Sequence, residues 1–408
     1  MLLIYALLKK ILATSEQRDE VTTYSSPPSS INIVEGNTLV QEQLVNTGLS
    51  PNLQANGLLG RDVVVELNGS LRPQQEQEPI PINTNLTLEE IICMKSFCQG
   101  SYKVGEGSFA QVYRGIFQDK DLAIKKIEHR YNGIKKSVEN EVELLRGIEH
   151  KNINKLYAWC IEESISYLVY MFISGCSLDD YFRGYCTVFA YSWKQCLKTI
   201  MDIAEGIEFL HKNKIIHVDI KPQNIMMDAS DNEAKIVDFG FSRKADWEGT
   251  YRSTDKIIGT RGYWAPEYCL NHKLSYKHDV FSFGIVVLEM ITGERHVDNA
   301  RSSSQFHIPE YVSFMISNDR FEQAIDSRLK RNGWDRFTLE SAFSVANIAL
   351  RCARPEKAAR PFMDIVLKNS LRLQRAAVIT SILLGREKKK LQSQSMYNEM
   401  KLQHIISQ

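Results

Sequence analysis

The order of textures along the chain limits its fold more than any single motif does. From about residue 98, short β-rich runs dominate: Tyr102-Lys103-Val104, Gln111-Val112-Tyr113, Leu122-Ala123-Ile124-Lys125, then runs around Leu156–Trp159 and Tyr167–Tyr170. One helical pattern interrupts them, from Lys135 to Ile148, with Val138, Val142, Leu145 and Ile148 on one face. After Gly175 the chain turns helical, and Leu197–His211 repeats apolar residues at Ile200, Ile203, Ala204, Ile207 and Leu210. The apolar run Val280–Leu288 is too short to span a bilayer and reads as a core helix. Strands first and helices later predict an α+β domain with a sheet lobe and a helical lobe.

The chain has 408 residues, enough for one large domain or two ordinary ones. A formal net charge of +1 gives no electrostatic case for a nucleic-acid partner. The charged fraction of 24% is that of a soluble globular protein. The eight cysteines (Cys93, Cys98, Cys160, Cys176, Cys186, Cys196, Cys269, Cys352) are scattered, and no pair has Cys-x-x-Cys spacing. That pattern argues against a zinc site and predicts free thiols in a reducing compartment, not disulfides.

The flanks differ from the centre. Residues 1–14 open with an apolar run broken after Leu8 by Lys9 and Lys10. The run is shorter than the roughly 20 residues a spanning helix needs, and its charge lies on the wrong side for a signal peptide. A membrane-helix stub, a short interfacial anchor and a frayed terminus all remain open. Residues 15–97 carry Ser26-Pro27-Pro28-Ser29-Ser30 and a Gln/Glu/Pro cluster at Gln74–Pro79, with few aromatics, and read as a largely disordered leader. The sequons at Asn68-Gly69-Ser70 and Asn85-Leu86-Thr87 read as chance matches. Residues 374–408 read as a helical or flexible tail whose basic patch, Arg386–Lys390, is a solvated helix end.

Within the β-rich part, Gly105-Glu106-Gly107-Ser108-Phe109-Ala110-Gln111-Val112 has the form of a phosphate-cradling glycine loop, with Ala110 at the third glycine position. It leads into Val112-Tyr113, which reads as a strand, so a hairpin covering a nucleotide fits better than a dinucleotide-binding unit. Downstream lies Lys125 at a strand end, placed to hold α- and β-phosphates. The following helix carries Glu141, which could orient that lysine, although Glu139 and Glu143 compete.

The run Ile216-His217-Val218-Asp219-Ile220-Lys221-Pro222-Gln223-Asn224-Ile225 sets an acid, a lysine two residues on and an asparagine five residues on within one loop. Asp219 could take or orient a hydroxyl proton, and Lys221 could neutralise a transferred phosphate. Asn224 and Asp238, in Asp238-Phe239-Gly240, offer the hard oxygens magnesium prefers. Phosphoryl transfer needs mainly positioning and electrostatic stabilisation, which such groups supply.

These motifs, in this order, resemble the eukaryotic protein kinase family over roughly residues 98–373. The resemblance implies a bilobal fold, a β-rich N-lobe and a larger helical C-lobe. It implies ATP and Mg, with Mn as a substitute, and a protein substrate bearing Ser or Thr. By resemblance the nine-residue offset to His150 favours Glu141 as the partner of Lys125. Val112, Ala123 and Met226 look like the adenine sandwich, Tyr170 like the gatekeeper, and Met171-Phe172-Ile173 like the hinge. His217 and Phe239 look like members of a stacked spine. Ala265-Pro266-Glu267 closes an activation segment opened at Asp238, Arg360 would pair with Glu267, and Asp279 would anchor the catalytic loop. Lys221 and Gly259–Tyr268 are similar to the plant receptor-like serine/threonine kinases. The nearest likeness is to the lectin-receptor and rust-resistance-type branch, whose loops often lack the arginine before the aspartate.

That arginine is Val218 here, which cannot pair with an activation-loop phosphate. The expectation is a kinase not switched on through that contact. Any effect of phosphate at Thr250, Ser253 or Thr254 would use another partner, such as Arg243, Lys244 or Arg252. An alternative reading is a pseudokinase that binds nucleotide and signals by protein contacts. Val218, Ala110 and Met171 favour it, and the presence of Lys125, Glu141, Asp219, Asn224 and Asp238 opposes it. The expected location is cytoplasmic or at the inner face of the plasma membrane, with transient dimerisation for autophosphorylation.

Overall fold

A computed structural model describes residues 84–87, 91, 103–106, 110–117, 119–131, 133–186, 189, 192–246, 249–252, 257–330 and 336–370. The expectations for residues 1–14, for the leader up to residue 83 and for the tail 374–408 lie outside the described residues. So do Gly107, Ser108 and Phe109 of the glycine loop, and Ser253 and Thr254.

The β-rich part forms one six-stranded sheet, in the order β1-β5-β6-β4-β3-β2. Its strands are β1 (Thr84–Asn85), β2 (Lys103–Glu106), β3 (Ala110–Phe117), β4 (Lys120–Glu128), β5 (Leu156–Ile161) and β6 (Ile165–Met171). Neighbours β2 to β6 pair antiparallel, and β1 joins β5 in parallel. Helix α1 (Ile134–Leu145) crosses between β4 and β5 and buries Val138, Val142 and Leu145, the stripe its spacing predicts. It stops three residues short of Ile148, because Gly147 takes a left-handed φ of 81°.

The chain then passes through β7 (Gly175–Ser177) into α2 (Leu178–Arg183) and α3 (Trp193–Lys212). Ser192 caps α3 by accepting a hydrogen bond from the Gln195 amide. Ile200, Ile203, Ala204, Ile207 and Leu210 are all buried, as the periodicity predicts. Two-stranded and three-stranded ladders follow, from β8 (Ile215–Ile216), β9 (Ile225–Asp228), β10 (Glu233–Ile236) and β11 (Arg243–Lys244). Strand β12 (Thr250–Arg252) pairs with β13 (Lys273–Ser275), which flanks α4 (Pro266–Asn271). Helix α5 (Tyr276–Thr292) is buried along almost its whole length. It packs against α6 (Ile308–Ser317) and α7 (Arg336–Cys352). Gly284 permits this closeness: a Cβ there would lie 2.7 Å from the Ala349 carbonyl oxygen and 2.9 Å from the Ala353 amide nitrogen.

Two findings depart from the sequence expectations. The sheet reaches into the stretch read as leader: Leu86 donates its amide to Trp159 O at 2.7 Å, and Leu86 and Ile91 are buried with Leu122, Ile124, Tyr157 and Val169. Average composition hides this, because two apolar side chains on an open sheet edge suffice to dock a short strand. The expectation of free thiols is also corrected, since Cys176 and Cys186 form a disulfide. Ten residues separate them, but α2 folds the chain back on β7 and brings them together, which spacing alone does not reveal. Among the described residues, Cys160, Cys196, Cys269 and Cys352 are not disulfide-bonded.

Candidate active site

The hairpin expected at the glycine loop is present, with Gly105 opposite Val112 and Glu106 opposite Gln111. Glu106 is engaged on the surface by Lys103 at 2.6 Å. Along β3 and β4, Ala110 pairs with Ile127, Val112 with Lys125, and Ala123 with Tyr170 of β6. Met226 sits on β9 opposite Ser177 and Lys235. Phe172 follows β6. Its amide donates to Asp121 O at 2.9 Å, and its ring lies under the Arg114 guanidinium at 4.4 Å.

Lys125, Glu141 and Asp238 come together although 113 residues separate the first from the last. The Lys125 ammonium lies 2.7 Å from Asp238 Oδ1 and 3.6 Å from Glu141 Oε1. The Tyr170 hydroxyl donates to that same Glu141 oxygen at 2.5 Å. Burial works against the Lys125 charge, but the two carboxylates outweigh it and push its pKa up. Lys125 in turn holds the Asp238 carboxyl at about 2. Asp238 adopts φ 65°, a left-handed conformation unusual for a side-chain-bearing residue, and its side chain is 45% exposed to the cleft.

The catalytic-type loop hangs from one buried carboxylate on α5. Asp279 Oδ2 accepts the His217 amide at 2.9 Å and His211 Nε2 at 3.0 Å, while Oδ1 accepts the Val218 amide at 2.9 Å. His217 donates from Nε2 to Val237 O and accepts the Asp219 amide at Nδ1, so its ring is neutral, with the proton on Nε2. Burial lowers its pKa in agreement. Its ring meets Phe239 edge-on at 4.8 Å, the stacking expected of the pair.

Asp219 is 2% exposed and fully engaged. Thr260 Oγ1 donates to Oδ1 at 2.7 Å; Lys221 Nζ at 2.7 Å and Asn224 Nδ2 at 2.9 Å serve Oδ2. Lys221 also donates to Thr260 Oγ1 at 2.7 Å, closing the ring. Asn224 donates from Nδ2 to both the backbone and the carboxylate oxygen of Asp219, so its Oδ1 is the oxygen that could act as a ligand. The Val237 amide donates to Asn224 O at 3.0 Å and so sets Asp238 beside this loop.

Val218 is 1% exposed in a cluster with Ile216, Ala245, Tyr268 and Leu274. Its φ of 76° is costly for a β-branched residue. Of the cations named as phosphate partners, Arg243 is committed to the Phe241 and Ser242 carbonyls. Thr250 donates its hydroxyl and its amide to Asp246 at 2.7 and 2.8 Å. Glu267 and Arg360 form the expected pair, at 2.7 and 2.8 Å. Sequence reasoning assigned no role to Thr260. The signal was its place in Gly259-Thr260, but a hydroxyl's partner 41 residues away is not readable from spacing.

A bilobal fold with these groups brought together has the architecture of a protein kinase domain. A family model for the protein kinase domain matches residues 99–371, and the chain belongs to that family. It is similar to receptor-like kinases of Arabidopsis thaliana. A leucine-rich repeat receptor-like protein kinase is 35% identical over 280 residues, covering 67% of this chain and 31% of the relative. Cysteine-rich receptor-like protein kinase 1 is 33% identical, covering 72% and 47%. PTI1-like tyrosine-protein kinase 2 is 29% identical, covering 73% and 83%. The chain thus spans about a third to a half of the length of the receptor-like relatives it matches. Among the described residues, no helix is long and apolar enough to cross a membrane.

Proposed function

We propose that the chain transfers the γ-phosphate of ATP to serine or threonine hydroxyls of protein substrates. The observation that carries this reading is the Asp219 carboxylate held on both oxygens by Thr260, Lys221 and Asn224. A carboxylate fixed in this way can orient an incoming hydroxyl and accept its proton as the oxygen–phosphorus bond forms. Lys221 stands within reach of the same point and offsets charge on the transferred group. Lys125, kept as an ammonium, binds the non-transferred phosphates, and Glu141 and Tyr170 hold its position. The β2–β3 hairpin covers the nucleotide from Gly105 to Val112, and Val112, Ala123 and Met226 enclose the base. Phe172 lies in the hinge segment with its ring under the Arg114 guanidinium.

The residues fit a magnesium ion. Asn224 Oδ1 and the Asp238 carboxylate are hard oxygens, few enough to suit a cation that retains waters and substrate phosphates. Bound there, Mg²⁺ or Mn²⁺ would neutralise the phosphate oxygens. Asp238 stays ionised far below neutral pH, so it is ready to serve as a ligand throughout the working range.

The reading is tested with purified protein, ATP and a generic acceptor, followed by phosphoamino-acid analysis. Phosphoserine and phosphothreonine are expected, formed with Mg²⁺ or Mn²⁺ and abolished by EDTA. Phosphotyrosine alone would overturn the hydroxyl preference. No transfer by wild-type protein in either metal would favour the scaffold reading. Attachment at the inner face of the plasma membrane, and dimerisation during autophosphorylation, are proposals that rest on the family resemblance alone.

A further inference from the structure

Helix α1 carries two polar side chains whose hydrogen bonds the site described above does not use. Ser137 Oγ donates to Gly240 O at 2.6 Å, and Asn140 Nδ2 donates to Ser242 O at 2.9 Å. Both acceptors belong to the first residues of the activation segment, directly after Asp238 and Phe239. Glu141, next in the helix, is buried against Lys125 and Tyr170. Gly240 lies between the two acids: a Cβ there would sit 3.6 Å from Glu141 Oε2 and 3.7 Å from Asp238 Oδ1. Ser242 is fully buried and donates its own hydroxyl to His217 O at 3.2 Å. One short stretch of backbone therefore links α1, the metal-type acid and the catalytic-type loop.

A charged link runs beside these neutral bonds: Lys125 bridges Glu141 of α1 and Asp238, and it too needs no phosphate. Val218 fills its place with apolar contacts and offers no cation to a phosphate. Arg243 is turned onto backbone carbonyls of the same stretch. From these contacts we infer that Ser137 and Asn140 are positioning residues, a neutral clasp that holds α1 on the start of the activation segment without a phosphate. Through it, Glu141 stays beside Lys125 and Asp238 stays beside Asn224. A side chain donating to a carbonyl needs no modification, so the clasp is closed in the protein as synthesised. The inference rests on the proposed roles of Asp219 and Asp238.

The test uses full-length protein stripped of phosphate by a phosphatase, assayed for the first turnovers. Wild type is expected to retain its turnover. Ser137→Ala and Asn140→Leu each delete one donor and are expected to lower kcat about fivefold, and about 30-fold together, for two neutral hydrogen bonds. The KM for ATP should change less than about threefold, by the split between transition-state and uniform binding. Ser137→Thr keeps the hydroxyl and should restore kcat, which a merely structural packing role would not predict. Amide exchange over residues 240–244 should quicken in the double variant while the α5 amides stay protected. Two results overturn the clasp: a double variant within twofold of wild-type kcat, or a dephosphorylated wild type that is inactive. Asp219→Asn run alongside separates the two ideas, because full turnover in that variant would defeat the catalytic assignment itself.

Discussion

Asp279 holds two backbone amides and one histidine, and its own chemistry shows how a single residue can set a loop. Burial alone would raise its carboxyl. The hydrogen bond from His211 and the nearby His278 ring outweigh burial and hold it well below the usual carboxylate range. A carboxyl depressed on folding contributes stability above the unfolded value of about 3.9, and that contribution is lost as the pH falls through the folded value. Asp279→Asn is expected to cost about 3 kcal/mol at pH 7, because a charged acceptor of several buried donors is lost. Urea titrations should show the gap between variant and wild type narrowing as the pH drops from 5 to 3. A gap that stays constant would contradict the account. Much at this scale was legible. Asp219, Lys221, Asn224, Lys125 and Asp238 stand out as candidates by residue type and spacing, and the fold brings them together in two linked sets. Ser137, Asn140 and Thr260 do not, since a hydroxyl or amide on a helix or loop has the same sequence signature whether it meets water or a carbonyl.

Helices with strong apolar repeats were readable in advance, and strands joined by chain reversal less so. Helix α3 follows its apolar periodicity, and α5 follows its unbroken apolar run with burial on all sides. By contrast, β1 is two residues long, and its docking depends on the vacant edge of β5, which the sequence of β1 does not contain. Ile91 is fully buried there, so Ile91→Ala is expected to destabilise the domain by about 2–4 kcal/mol. A loss of unfolding free energy below about 0.3 kcal/mol, from urea titration, would show that this segment is not part of the folded unit. The Cys176–Cys186 bond escaped reading for a related reason, because only the turn through α2 makes the two thiols neighbours. It closes a loop of about ten residues, so reduction or Cys186→Ser is expected to cost about 2.5 kcal/mol on the chain-entropy account. Identical unfolding curves with and without dithiothreitol would mean that the bond contributes nothing to the folded state.

At the scale of the molecule, two lobes bring together groups that the chain scatters from Gly105 to Arg360. The sheet supplies Lys125, α1 supplies Glu141, and the helical lobe supplies Asp219, Asn224 and Asp238. The apolar cluster around Val218 occupies the place from which a receptor for phosphate would otherwise act, consistent with control that does not run through that residue. Position and electrostatics account for the proposed chemistry, and Asp219 is the group on which Thr260, Lys221 and Asn224 converge. The most direct measurement is the single-turnover rate of phosphate transfer from Mg-ATP to an acceptor protein, for wild type and Asp219→Asn. The account predicts measurable transfer by wild type and a loss of at least about 100-fold in the variant, the contribution of a positioned acid–base group. Equal rates in two proteins that unfold alike would contradict it.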